Sequence, residues 1–502
     1  MRIVAAFPLG VHLLAVGALA MLVPMAHAMG QGDWPVARAF GYGAMLGLVL
    51  AGLLGTAMLN RTPRRPVHAQ FVALVLAYTV LPVFLAVPYF LSVALATPLQ
   101  AYFDMVAAIT TTGASALDDD PLRLSDTLHL WRATVAWLGG LLVWVSAAAI
   151  LAPLQLGGFE VVTRLRGEHL QRGYLRIGAP EAAARLAEQA RLLVPIYAGF
   201  TGILWIGLLV AGQPGTAALI LAMSTLATSG ITLPGGVQGA GTGLGSEALI
   251  FLFLFIAVSR RMHSPHLLRQ GLGPLRESRE LRLALLISVS VPMVIFLRHW
   301  AGAFDYADQE NLSAALRAFW GSMFTVLSFL TTTGFLSGEW GLARAWSGLG
   351  APGLVLAGLA MLGGGIATTA GGLKLLRVFA IYRQARNEVS GLLQPSRVIG
   401  AQRGLSREVG LAAWGFFMLF MITLTLVTLL LGLAGLDFNE ALALAVATLT
   451  TTGPVAAVAG EAPIFYGQLS QQVQAILCGA MVLGRLETLA VLALFNPAFW
   501  RT

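Results

Sequence analysis

The chain has 502 residues, 57% of them hydrophobic and only 11% charged, with a formal net charge of +8. A soluble globular chain carries about 25% charged residues, so this composition excludes a soluble globule. The one cysteine, Cys478, excludes an intrachain disulfide and a cysteine-based metal site, and it reads as a small buried hydrophobe.

Apolar stretches of about 20 residues recur, the length at which a helix crosses a bilayer. They lack the apolar–polar alternation of barrel strands, so the expected fold is an all-α polytopic membrane protein. The N-terminal run "MRIVAAFPLGVHLLAVGALAMLVPMAHAMG" has a basic start, an apolar middle and a small-residue "AHA" ending. It fits a cleavable signal peptide or a retained first helix, and its length and the span close behind it favour retention. In chain order the expected spans are 4–24, 38–59, 69–96, 130–152, 191–212, 246–262, 282–302, 349–381, 409–433 and 471–495. The even count puts both termini on one side. Most of the 31 Lys and Arg fall at the termini and in the loops around Arg61, Arg164 to Arg191, Arg260 to Arg282 and Lys374 to Arg407, which marks that side as cytoplasmic. The opposite loops hold Asp118, Asp119, Asp120, Asp126, Asp305, Asp308, Glu310, Asp437 and Glu440. They form either a cation-concentrating rim or simply what the positive-inside rule leaves outside.

Between spans lie shorter apolar segments, each ending in a threonine–glycine pattern. "AYFDMVAAITTTG" ends at Gly113, "GTAALILAMSTLATSG" at Gly230, "GSMFTVLSFLTTTG" at Gly334 and "DFNEALALAVATLTTTG" at Gly453. A shared local pattern at intervals of 104 to 119 residues indicates repeated units. Each unit reads as span, short re-entrant helix, threonine–glycine stretch, span, with the non-helical backbone lining a watery cavity. A helix C-terminus carries negative partial charge, which suits a cation, and glycine permits the turn that points carbonyls inward. Four such units around one axis make rings of oxygens that replace a cation's water shell. The expected potassium-binding filter is therefore Thr111, Thr112 and Gly113; Thr228, Ser229 and Gly230; Thr332, Thr333 and Gly334; and Thr451, Thr452 and Gly453. A single TTTG reads better as a polar turn between packed helices; four aligned copies favour the filter.

The eighth span contains "GGGIATTAGG", with Gly363, Gly364, Gly365, Gly371 and Gly372. Each glycine costs a helix about 1 kcal/mol against alanine, so a break is expected there, lining a cavity or packing closely on a neighbouring helix. Lys374, the only lysine, follows the break; it caps a half-helix, reaches an inner vestibule or anchors the cytoplasmic side. Arg485 and Glu487 lie within the last span, where charge is costly and faces a cavity or another charge. His129 and Arg132 read as snorkelling residues near an outer span end.

These stretches resemble the Trk/Ktr superfamily of potassium transporters, in which one chain holds four span–pore–span repeats. "LWRATVAWLGGLLVW", "GGGIATTAGGLKLLR" and "MVLGRLETLAVLALFNPAFWR" are similar to its second, interrupted and last spans. The resemblance covers residues 68–502, and the two extra N-terminal helices resemble those of the TrkH branch. It implies two N-terminal helices in 1–67 and pore repeats at 68–160, 161–280, 281–405 and 406–502. It also implies glycine at all four filter positions, as in potassium-selective members, and a gate made of Gly363, Gly364, Gly365, Gly371, Gly372, Lys374 and Arg485, with Arg485 projecting towards the pore. Beyond the chain it implies a homodimer in the bacterial inner membrane, with a separate regulatory subunit of the potassium-conductance-regulating type that binds ATP, ADP or NAD(H). The second filter, "LATSGIT", and the fourth, "TTTGPVAAVAG", depart from the family's usual versions.

Gated potassium uptake is thus the expected function. Sodium or less selective monovalent-cation transport, and ion-coupled secondary transport at a broken helix, are the alternatives. An intramembrane enzyme would need converging His, Asp, Glu, Ser or Cys groups, and neither HExxH nor GxSxG occurs. No GxGxxG follows a strand-like run, so no organic cofactor is expected in this chain, and nucleic acid is not an expected partner.

Overall fold

The computed structural model describes residues 9–58, 66–94, 96–117, 124–151, 179–238, 243–259, 278–302, 312–347, 349, 351–393, 407–460 and 462–486. Among them there are helices and no strands. The helices are α1 (Leu9–Ala20), α2 (Leu22–Gln31), α3 (Trp34–Met58), α4 (Pro66–Thr79), α5 (Leu81–Ser92), α6 (Pro98–Ile109) and α7 (Asp126–Ser146). They continue with α8 (Ala179–Val210), α9 (Gly215–Ala227), α10 (Gly243–Leu254), α11 (Arg279–Gly302), α12 (Leu312–Leu330) and α13 (Trp340–Ser347). The last are α14 (Pro352–Leu362), α15 (Leu375–Leu393), α16 (Arg407–Leu433), α17 (Phe438–Leu449), α18 (Val455–Val458) and α19 (Gln471–Leu486).

Eight helical stretches are long and apolar enough to cross a membrane among the described residues: Leu9–Gln31, Trp34–Met58, Val72–Ser92, Asp126–Ile150, Ala184–Val210, Arg279–Leu297, Ser313–Leu330 and Val409–Leu433. Their outward faces carry bare apolar side chains such as Leu53, Leu286, Val294, Ile422 and Leu429, which water would penalise and lipid does not. Several expected boundaries move. The first span runs on to Gln31, through Pro24, because a proline in the first turn of α2 needs no amide partner. Gly32, at φ 77°, then ends it. The expected 349–381 span is two helices, α14 and α15, separated at the glycine cluster. Of the expected 471–495 span, the part beyond Leu486, including Glu487, lies outside the described residues. The segment before the third TTTG is longer than a re-entrant helix requires: α12 has 19 residues.

Four helices, α6, α9, α12 and α17, end in the threonine–glycine stretches, and a later helix, α7, α10, α14 or α19, wedges between each pair of neighbours. α7 packs on α6 and α9, α10 on α9 and α12, α14 on α12 and α17, and α19 on α17 and α6. The contacts close a circle. Glycines allow the close approach: a Cβ on Gly139 of α7 would strike the Ile109 carbonyl at the end of α6. Gly484 of α19 lies in the same way against the Leu449 carbonyl at the end of α17. Sequence also sets where these helices begin. Thr97 and Gln100 form a reciprocal capping box at the start of α6, with Pro98 as the first helical residue. The N-terminal helices brace this circle from outside. His27 of α2 lies 2.8 Å from the Thr127 hydroxyl of α7 and 3.2 Å from the Thr216 hydroxyl of α9.

Candidate functional site

At the centre of the circle the four stretches share one backbone geometry. Thr111, Thr228, Thr332 and Thr451 have φ of 55°, 52°, 57° and 53°, the left-handed region that β-branched residues avoid. Thr228 sits one residue past the end of its helix and the other three sit two residues past theirs. The following N–H turns back to the helix: Thr112 to the Ala107 carbonyl at 2.8 Å, Ser229 to Ser224 at 3.0 Å, Thr333 to Ser328 at 2.9 Å and Thr452 to Ala447 at 2.8 Å. This is the usual helix-ending motif, with threonine where glycine is the common choice.

The three threonines of a TTTG do different work. Thr110 and Thr112 lie hydroxyl to hydroxyl at 2.9 Å, Thr331 and Thr333 at 3.1 Å, and Thr450 and Thr452 at 3.2 Å. In the second stretch Ala227 stands in the first place, and Ser229 donates to the Ser224 hydroxyl at 3.0 Å instead. The middle hydroxyl is left over. Those of Thr111, Thr228 and Thr451 are buried and have no hydrogen-bond partner in the protein. That of Thr332 accepts the Gly371 N–H at 2.7 Å.

The stretches touch in cyclic order. A Cβ placed on Gly113 would strike the Ser229 carbonyl, one on Gly230 the Thr333 carbonyl, and one on Gly453 would come 2.7 Å from the Thr112 carbonyl oxygen. At Gly334 the neighbour is the Pro454 ring, with Cγ at 2.8 Å. Gly113, Gly230 and Gly334 also have positive φ, at 72°, 70° and 83°. Side chains are therefore excluded there by space, and at these three by backbone conformation as well.

Two buried carboxylates hold the first and third stretches from behind. Asp104 of α6 accepts from the Tyr89 hydroxyl at 2.8 Å, the Ser115 hydroxyl at 2.7 Å and the Ala116 N–H at 2.7 Å. The Arg132 Nε lies 3.7 Å from it, and the Arg132 Nη2 donates to the Ala114 carbonyl at 3.2 Å. Glu247 of α10 accepts from the Trp320 indole at 2.9 Å, the Ser337 hydroxyl at 2.8 Å, and the Gly338 N–H and Gln238 amide at 2.8 Å each. Both carboxylates are fully buried, and these donors offset the cost of taking them out of water. Sequence reasoning passed over Asp104 and Glu247, although an acid inside an apolar helix was a visible signal. It placed His129 and Arg132 at an interface. They are instead 3% and 1% exposed, because Arg132 serves the Asp104 cluster.

The glycine-rich loop between α14 and α15 is pressed against the helix-side ends of the stretches. Besides the Gly371–Thr332 bond, the Thr369 hydroxyl donates to the Leu226 carbonyl at 3.3 Å, and a Cβ on Gly371 would strike the Thr450 carbonyl. Gly363 and Gly372 have φ of 71° and 73°, and Gly364 and Gly365 approach the Ala257 and Val258 carbonyls. On the far side Glu280 accepts the Ile366 N–H at 2.9 Å. Lys374 is neither an exposed anchor nor free to reach a vestibule: it is buried, at φ 75°, and its Nζ donates to the Ala370 carbonyl. The Arg485 Nη1 donates to the Thr369 carbonyl at 2.6 Å, so its charge lies under the stretches while its side chain ties the loop down. Cys478 is buried, as a small hydrophobe would be. No cluster of three or more His, Cys, Asp or Glu side chains that could hold a metal occurs among the described residues.

A family model described as TrkH, cation transport protein, matches residues 248–502. The chain is 30% identical over 450 residues to the Trk system potassium uptake protein TrkH of Halomonas elongata, covering 88% of each chain. It is 29% identical over 507 residues to the TrkI protein of the same organism, covering 96% of this chain and 94% of that one. Its fold is similar to the crystal structure of the potassium transporter TrkH from Vibrio parahaemolyticus, with a TM-score of 0.81, 25% identity and full coverage of both chains.

Proposed function

The chain belongs to the TrkH family of cation transport proteins, and from that premise we propose that it takes up potassium through a path walled by its four threonine–glycine stretches. It is an integral membrane protein with helices long enough to span, and its relatives are named as transport proteins, which sets an enzyme aside. The observation that carries the reading is the recurrence of one strained turn at Thr111, Thr228, Thr332 and Thr451 around a common centre, with three middle hydroxyls buried and unpartnered. Oxygens fixed by such strain do not need to be gathered when a dehydrated cation arrives, and that favours one ion size over another. The filter comprises these threonines with Thr112, Ser229, Thr333, Thr452 and the four glycines.

The loop from Gly363 to Lys374, with Arg485, is the gate. Its bonds to Thr332, Leu226 and Arg485 close the path from the inner side. Each filter belongs to one span–pore–span repeat, with boundaries at 68–160, 161–280, 281–405 and 406–502. The protein works as a homodimer in the bacterial inner membrane with both termini cytoplasmic. A nucleotide-binding subunit docks on the basic inner loops and opens the gate; the relatives' description as parts of a Trk system supports such a partner.

Uptake of radiolabelled rubidium and sodium into reconstituted vesicles tests the reading. Wild-type protein should carry rubidium, as a potassium surrogate, in preference to sodium. Gly113→Ser, whose new side chain must push back the Ser229 carbonyl, should lower that preference. An unchanged ratio at normal protein yield would remove Gly113 from the filter. Equal uptake of both ions by wild-type protein would favour the less selective alternative.

A further inference from the structure

The fourth stretch departs from the other three at its glycine. Gly453 is not in the left-handed region that Gly113, Gly230 and Gly334 occupy. The N–H groups of Gly113 and Gly334 turn back to their own helices, at 3.1 and 3.3 Å, whereas the N–H of Gly453 crosses to the Thr112 carbonyl at 2.7 Å. The Gly453 carbonyl also points away from the centre, accepting the Tyr466 hydroxyl at 2.9 Å and the Ala456 N–H at 3.1 Å. Directly after it the chain enters the short helical turn α18, whereas the residues directly after Gly113, Gly230 and Gly334 are not helical. Pro454 accounts for that turn. Its φ of −59° is fixed near the helical value, and it lacks the N–H that a first helical turn cannot use.

The cyclic contacts make the second and fourth stretches diagonal partners. Pro454 belongs to the fourth. Its Cγ would lie 2.8 Å from a Cβ on Gly334 of the adjacent third stretch, and 3.1 Å from a Cβ on Gly230 of the diagonal second. A ring that reaches the diagonal partner crosses the middle. We propose that Pro454 is a specificity-determining residue, a constriction set across the path at the end of the filter remote from the gate loop. It replaces the fourth glycine carbonyl with an apolar surface. A cation at this level therefore finds no ligand on one side and must keep water there or pass slowly. Tyr466 is a positioning residue that holds the Gly453 carbonyl aside.

The inference rests on reading the four stretches as a filter, so four variants are compared in vesicles under one potassium gradient. Pro454→Gly should raise the initial rubidium uptake rate severalfold and lower the rubidium-to-sodium ratio. Tyr466→Phe should shift both in the same direction by less, since the Ala456 N–H still holds the carbonyl. Gly113→Ser, whose side chain meets the Ser229 carbonyl and not Pro454, serves as the control for the filter itself. If Gly113→Ser alters the ratio while Pro454→Gly and Pro454→Ala, at wild-type yield and melting temperature, leave rate and ratio unchanged, the constriction is refuted and the filter stands. If none of the variants alters the ratio, the filter reading fails with it. Should Pro454→Gly fail to fold, Pro454→Ala, which keeps a side chain and the helical turn, decides the question by the same two readings.

Discussion

Threonine in the left-handed region costs on the order of 1–2 kcal/mol, and this chain accepts that cost four times around one centre. Glycine would relieve the strain and lose the hydroxyl. The pattern TTTG was legible as a repeat, but the division of labour within it was not. It depends on the first and third hydroxyls meeting across a turn that only the folded helix end creates. The cluster around Asp104 was hidden for a different reason. Its partners Tyr89, Ser115 and Arg132 are spread along the chain, and nothing in their spacing announces that they converge. Removing one partner of such a buried charged cluster costs about 3–5 kcal/mol. Asp104→Ala should therefore cut thermal stability sharply in detergent-purified protein. Asp104→Asn keeps the volume and some hydrogen bonds, so it should fold. It should still lower the rubidium-to-sodium ratio, because the Ala116 N–H and Arg132 lose the charge that holds the first stretch in place. A wild-type ratio for Asp104→Asn would reduce the cluster to a purely structural role.

Among the elements, the interrupted helix was the most legible: five glycines in an apolar run forbade a continuous span, and α14 and α15 part where they occur. What the sequence hid was the attachment. Arg485 lies far along the chain from Thr369, and its bond to that carbonyl joins the last helix to the loop. If the loop is the gate as proposed, charge and tether both oppose cation flow, and Arg485→Ala should raise leak in vesicles without any regulatory partner. Arg485→Lys retains the charge, but an ammonium on a different stem does not reproduce the guanidinium's reach, so it separates the two contributions. A rate near wild type for Arg485→Lys assigns the barrier to charge; a leak matching Arg485→Ala assigns it to the lost tether. No change in either variant would place Arg485 outside gating altogether.

At the scale of the whole molecule, the N-terminal helices act as a buttress. The His27 side chain links α2 to both α7 and α9. A typical hydrogen bond contributes about 1 kcal/mol net, so His27→Ala should lower stability by about 1–2 kcal/mol, seen as a reduced melting temperature in detergent, with the rubidium-to-sodium ratio unchanged. An altered ratio would mean that the buttress also shapes the filter. The closure of the circle between its first and last members carries a consequence for how the protein is made. The Thr112 carbonyl waits for the Gly453 N–H, and α6 waits for α19, across most of the length of the chain. During synthesis the early helices must rest in the bilayer with that seam open. The centre of the circle comes into existence only when α19 arrives, as a late, long-range step of the kind that folds slowly and needs protection while incomplete.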